Sequence, residues 1–157
     1  MIVHLLRHAK TEVLSNSGRD FDRRLAPNGH QQCAEVQKII HSNISSETSI
    51  FCSSAHRTKE TAAAVFDENR SIEYFESLYL TDLSGLLAFI CKQESDADML
   101  IIGHNFGISE LASYLIGKQV VMKTSGFISI DFEGFTAKDI SNSNGVLISN
   151  YRCSIDF

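Results

Sequence analysis

The sequence predicts an α/β fold built on a largely parallel sheet. Three observations lead there. Short apolar runs of strand length alternate with segments of helical period along the whole chain. Residues 2–6 and 99–102 are apolar almost without interruption, as strands covered on both faces are. The 157 residues, 43% of them hydrophobic and with no repeat or linker among them, suit a single domain spanning 1–157.

Residues 2–7 read as the first strand, which ends in Arg7-His8. Residues 8–26 form a polar loop around Ser15-Asn16-Ser17-Gly18. A loop of that length inside a compact domain is more often functional than idle. Pro27 suits the first position of a helix, and Cys33, Val36, Ile39 and Ile40 give that helix an apolar stripe. Residues 49–52 are a second strand. Ser53 or Ser54 then caps a helix running to about Phe66, with Ala62, Ala63, Val65 and Phe66 inward. A short strand at 72–75 and a helix at 83–92 precede the strongly apolar strand 99–102. Gly103-His104-Asn105 turns the chain into its best helix. There Ile108, Leu111, Ala112, Leu115 and Ile116 follow the i, i+3, i+4, i+7, i+8 pattern, and Gly117 is a natural stop. Residues 127–132 alternate as an exposed or edge strand does. A solvated turn at 141–144 leads to a last strand at 145–151.

Composition narrows the function. A net charge of −5 argues against a nucleic-acid or anionic-membrane surface. No apolar run reaches membrane-spanning length, and the first residues do not read as a signal peptide. Cys33, Cys52, Cys91 and Cys153 are far apart and form no CxxC pair, which fits reduced, mostly buried thiols, a cytoplasmic location and no structural zinc. The sequence does not set the oligomeric state; a monomer is favoured. Against the acidic whole, residues 1–30 carry an excess of positive charge from Arg7, Lys10, Arg19, Arg23 and Arg24, which suggests a focused anion site.

Three basic elements share one structural place. Arg7-His8, His56-Arg57 and His104 each follow an apolar strand, where parallel α/β sheets bind ligands. His56, Arg57 and Lys59 fall in the first turn of their helix, an end that prefers acids unless an anion is bound there. Simpler readings exist for each alone: a strand that happens to end in polar residues, or side chains that bend into water at a cost of about a few tenths of a kcal/mol. Together they are best solved as a phosphate pocket. Arg7 and Arg57 would fork onto non-bridging oxygens, His104 would donate to another, and neutral His8 would attack phosphorus in line. Such a site needs neither metal nor other cofactor. A cation held by His4, His8 and His104 would be repelled by the neighbouring arginines, and His4 suits a packed core position better.

These motifs resemble those of a known family. Leu6-Arg7-His8-Ala9-Lys10-Thr11, the 20–29 segment, Ser53-Ser54-Ala55-His56-Arg57-Thr58 and Gly103-His104-Asn105 resemble, in order, the signature of the histidine phosphatase, or phosphoglycerate-mutase-like, superfamily. The lack of a large insertion is similar to its SixA-type phosphohistidine phosphatases. The resemblance implies a three-layer αβα sandwich. It implies His8 as the phosphorylated nucleophile and Arg7, Arg57 and His104 as phosphate ligands. Lys10 and Asn16 are taken as further substrate contacts. The chain departs from the pattern at Ala9, where glycine is common, at Ala26, where a capping threonine is common, and at Phe106, where proline is frequent.

Relatives that cleave phosphomonoesters supply a carboxylic acid for the alkoxide leaving group. Glu76, Asp82 and Glu12 are the candidates here, each equally explained as a solvated surface group. A phosphohistidine needs no such acid. The expected substrate is therefore a phosphohistidine-bearing protein. A small phosphorylated metabolite is the alternative, and a non-catalytic module that binds phosphorylated ligands is a third reading.

Overall fold

The computed structural model describes residues 1–155. The opening apolar run forms β1 (Ile2–Arg7). After it come α1 (Pro27–Asn43), β2 (Ser49–Ser53), α2 (His56–Val65), β3 (Glu73–Phe75), α3 (Leu83–Cys91), β4 (Met99–Gly103), α4 (Gly107–Ile116), β5 (Phe127–Asp131) and β6 (Val146–Tyr151). The six strands make one sheet in the order β3-β2-β4-β1-β5-β6. β3, β2, β4 and β1 pair in parallel, and β5 runs antiparallel to both β1 and β6.

Alternation along the strands builds two cores. Val3 and Leu5 of β1 and Met99 and Ile101 of β4 pack with Leu86 and Ile90 of α3 and with Ile108, Leu111 and Leu115 of α4. Leu6, Leu100 and Ile102 point the other way, onto Cys33, Val36 and Ile40 of α1 and Ala62 and Val65 of α2. The result is the three-layer αβα sandwich of the phosphoglycerate-mutase-like fold. Among the described residues no helix is long and apolar enough to cross a membrane.

The register positions the site. Leu6 pairs with Ile102, Arg7 with Gly103, and Cys52 also with Ile102. The carboxyl ends of β2, β4 and β1, three adjacent parallel strands, therefore stop at one height. Arg7-His8, His104 and the entry to α2 emerge side by side.

Several local expectations are corrected. β5 is an interior strand with its first four residues buried, not an exposed or edge strand. Its polar Ser129 goes inward because it meets the Nδ1 of the buried His4 at 2.7 Å. β6, exposed along most of its length, is the edge on that side of the sheet, as β3 is on the other. Neither Ser53 nor Ser54 caps α2. Ala55 holds the cap position, and the Thr58 hydroxyl closes the turn by donating to the carbonyls of Ser53 (2.7 Å) and Ala55 (2.8 Å). Ala63 faces solvent. α1 starts at Pro27 behind Ala26, which offers no side-chain cap. Gly117 ends α4 at φ 73°, the left-handed conformation that glycine adopts freely.

Candidate active site

A cavity of about 550 Å³ opens over these strand ends. Arg7, His8, Arg57 and His104 line it together, with Lys10 and Thr11 beside them. His8 is 8% exposed, and its Nδ1 lies 2.7 Å from the Ala9 carbonyl oxygen. A carbonyl can only accept, so Nδ1 carries the ring proton and the lone pair sits on Nε2. Burial lowers the pKa of His8 well below its ordinary value. His104 and the guanidiniums of Arg57 and Arg7 push the same way, against the Ala9 hydrogen bond. The ring is neutral at physiological pH, as a nucleophile must be.

The His104 ring centroid is 5.2 Å from that of His8. Burial, then Arg57 and Arg7, lower its pKa to about 3, with Asp20 opposing them. Its Nε2 meets Ser53 Oγ at 2.8 Å, so Ser53, read from sequence as a helix cap, instead orients this imidazole. Donation from His104 to an anion requires Nε2 to be shared with, or exchanged from, Ser53. Arg7 is anchored by donating NH1 to the Met122 carbonyl at 2.9 Å.

Arg57 is 3% exposed and doubly held by one residue. It donates NH1 to the Asp20 carbonyl at 2.8 Å and NH2 to Asp20 Oδ2 at 2.9 Å. The same carboxylate accepts from Tyr79 OH at 2.6 Å and from Arg23 NH1 at 3.0 Å. Burial favours the protonated form of Asp20. The hydrogen bonds from Tyr79, Arg23 and Arg57, with the charge of Arg57, outweigh it and hold the carboxyl well below the ordinary carboxylate range. Among the described residues the cavity is lined by five cationic side chains, Arg7, Lys10, Arg23, Arg57 and Lys123, and by one carboxylate, Asp20.

The arrangement suits a tetrahedral dianion: charge, forked donors and a neutral imidazole with a free nitrogen. Among the described residues no three His, Cys, Asp or Glu side chains converge as a metal site.

Asn16 is not brought to this cavity. It lines a neighbouring depression with Glu12, Asp22, Arg24 and His56, because the 15–18 turn, closed by Gly18 N–H on the Ser15 carbonyl, folds that excursion aside. Glu76 lies exposed on a short 3₁₀ turn. Asp82 caps α3 by accepting from Gly85 N–H at 2.9 Å. None of the three carboxylates weighed from sequence lines the cavity. Asp20 and Tyr79, which the sequence reading missed, stand on the side of Arg57. The Asp20–Arg23 spacing (i, i+3) is a signal on the page; the contact with Arg57, 37 residues away, is not.

The family model of the histidine phosphatase superfamily (branch 1) matches residues 3–84. The chain belongs to the histidine phosphatase superfamily. An uncharacterised chloroplast protein of Arabidopsis thaliana is 31% identical over 133 residues, covering 76% of this chain and 61% of that protein, so the chain spans less than two thirds of that relative. Among solved structures, a candidate phosphohistidine phosphatase SixA from Nakamurella multipartitia superposes with a TM-score of 0.83 at 21% identity, covering 98% of this chain and 96% of that one. A protein histidine phosphatase SixA complexed with tungstate gives 0.78 at 18%, covering 97% of each. Phosphoserine phosphatase of Entamoeba histolytica, in complex with 3-phosphoglyceric acid, gives 0.69 at 18%, covering 98% of each.

Proposed function

We propose that this histidine phosphatase hydrolyses phosphohistidine on a protein, through a phosphohistidine formed at His8. The observation that carries the reading is the state of Asp20. Among the described residues it is the carboxylate that lines the cavity, and Tyr79, Arg23 and Arg57 keep it ionised, so it has no proton to give at neutral pH. An alkoxide leaves phosphorus poorly without a proton donor; an imidazole protonated on its other nitrogen leaves as a neutral molecule.

The steps balance without an added acid. His8 Nε2 attacks phosphorus in line while Arg7 and Arg57 hold the non-bridging oxygens. The bond to the substrate imidazole breaks, and that ring departs neutral with its remaining N–H. The new phosphoryl-His8 keeps its Nδ1–H on the Ala9 carbonyl, so it too carries a leaving group already protonated. Water then forms the new P–O bond, the Nε2–P bond breaks, and phosphate leaves with the proton water gives up. The SixA neighbours share the fold on which this chemistry is read; the phosphoserine phosphatase neighbour shares it as well.

The test compares kcat/KM for a phosphohistidine protein and for alkyl phosphomonoesters such as phosphoserine. The expected preference for phosphohistidine is at least a hundredfold. Faster turnover of the esters overturns the reading and favours the metabolite phosphatase. Rapid acid and base quenching with labelled phosphodonor should trap an acid-labile, base-stable label that vanishes in His8→Ala. Chelator should leave activity unchanged.

A further inference from the structure

The rim of the cavity is apolar where a phosphate site has no need to be. Leu80, 52% exposed, and Val13, 83% exposed, line it; Phe106, 82% exposed, follows the cavity-lining Asn105, and Val121 is 62% exposed. Exposed apolar residues crowded at one place mark interaction sites; scattered ones do not. Here the crowding has a structural cause. The Thr81 carbonyl packs so closely on Gly107 that a Cβ there would come within 2.1 Å of it, which joins the segment of Leu80 to that of Phe106. Leu80 itself is held at φ 48°, a conformation costly for a branched side chain, at the edge of the cavity. Phe106 and Val121 share a shallow depression of about 540 Å³ with Leu83 and Val120 and with the polar Ser109, Glu110, Ser113 and Gln119. Two residues beyond Val121, Lys123 and Thr124 line the phosphate cavity. An apolar shelf thus stands beside a cationic pocket.

Resting on the phosphohistidine reading above, we propose that this shelf docks the substrate protein, and that the phosphohistidine it accepts is flanked by apolar residues. The charge complementarity sets the occupant. Arg7 and Arg57 beside the two imidazoles suit an anion, and the apolar shelf beside them asks for apolar surface covalently joined to that anion. A free phosphorylated metabolite would fill the pocket and leave the shelf in water. An anionic membrane would be repelled by a chain of net charge −5. Phe106, an aromatic side chain standing almost free beside the pocket, has the character of an anchor residue.

Two synthetic phosphohistidine peptides test this, one with leucines and one with serines on both sides of the phosphohistidine, with phosphoramidate as a substrate too small to reach the shelf. The wild-type protein should prefer the leucine peptide by about tenfold or more in kcat/KM, the difference lying in KM. Phe106→Ser with Val121→Ser should erase that preference and leave phosphoramidate turnover within twofold. Ile148→Ser, an exposed apolar residue on β6, should keep the preference. Equal turnover of both peptides by the wild type overturns the docking inference while the phosphatase reading stands. Equal loss on all three substrates in the double variant also overturns it, since the shelf then supports the pocket's structure. Conversion of a dimer to a monomer in the double variant, with the peptide preference kept, gives the shelf to a second copy of the chain. No turnover of either peptide overturns both readings.

Discussion

Replacing Asp20 by asparagine removes one negative charge from the anion pocket with little change of shape. The amide oxygen can keep the contacts now made by Oδ2 with Arg57 and Tyr79, and the amide nitrogen then faces Arg23, which can turn to solvent. An anion seated on the remaining N–H groups of Arg57 would lie roughly 6–7 Å from the carboxylate, about two hydrogen-bond lengths across the guanidinium. Because the Asp20 side chain is 42% exposed, its repulsion is screened toward the aqueous limit. At an effective dielectric of about 60 the repulsion is ~0.9 kcal/mol per unit charge, so ~1–2 kcal/mol for a dianion. D20N should therefore bind inorganic phosphate and vanadate about 5–30-fold more tightly than wild type. The assay is competitive inhibition of phosphoramidate hydrolysis at pH 7 and fixed ionic strength. Slower product release should lower kcat in the same variant. Unchanged or weaker inhibition would refute the reasoning: Asp20 would then act on the site by placing Arg57, and its charge would not reach the anion.

Three further outcomes follow from the same structure. His4 and His104 are held neutral, with pKa values lowered to about 4 and about 3. The unfolded chain binds their protons below about pH 6.5 and the folded chain does not, so stability falls as pH drops from there toward 4, by ~1.4 kcal/mol per pH unit for each ring. Urea unfolding followed by circular dichroism, the chain having no tryptophan, should show the midpoint falling steeply between pH 6 and 5; a flat midpoint counts against it. Ala26→Ser should cap α1 and add ~1 kcal/mol, seen as a rise of about 2–4 °C in Tm. Gly29→Ala should destabilise by more than ~2 kcal/mol and impair turnover, because its Cβ would come within 2.1 Å of the Lys10 carbonyl oxygen, on the segment that lines the cavity.

The strands with uniform burial and the helix with a regular stripe were legible because each obeys a local period. β1, β4 and α4 follow it closely. β5 misled because its alternation holds a serine that the fold pairs with a buried histidine, so a polar residue sits on a covered face. The cap of α2 misled for a related reason. Ser53 was assigned to its nearest backbone neighbours, and the structure gives its hydroxyl to His104, 51 residues away. Asn16 lay in the right loop, but the side to which a loop folds depends on turns such as 15–18 and on what the rest of the chain leaves open.

Residue type and order along the chain were enough to name the chemistry. Two arginines and two histidines, each placed just after an apolar strand, imply an anion site wherever those strands lie together, because strand ends and unpaired basic groups are local properties. That the strands do lie together, at one height, came from the register of β2, β4 and β1. The charge state of the pocket came from Asp20 reaching Arg57 across 37 residues. Ion pairing and desolvation depend on distance in space, and separation along a chain does not report it until the chain has folded.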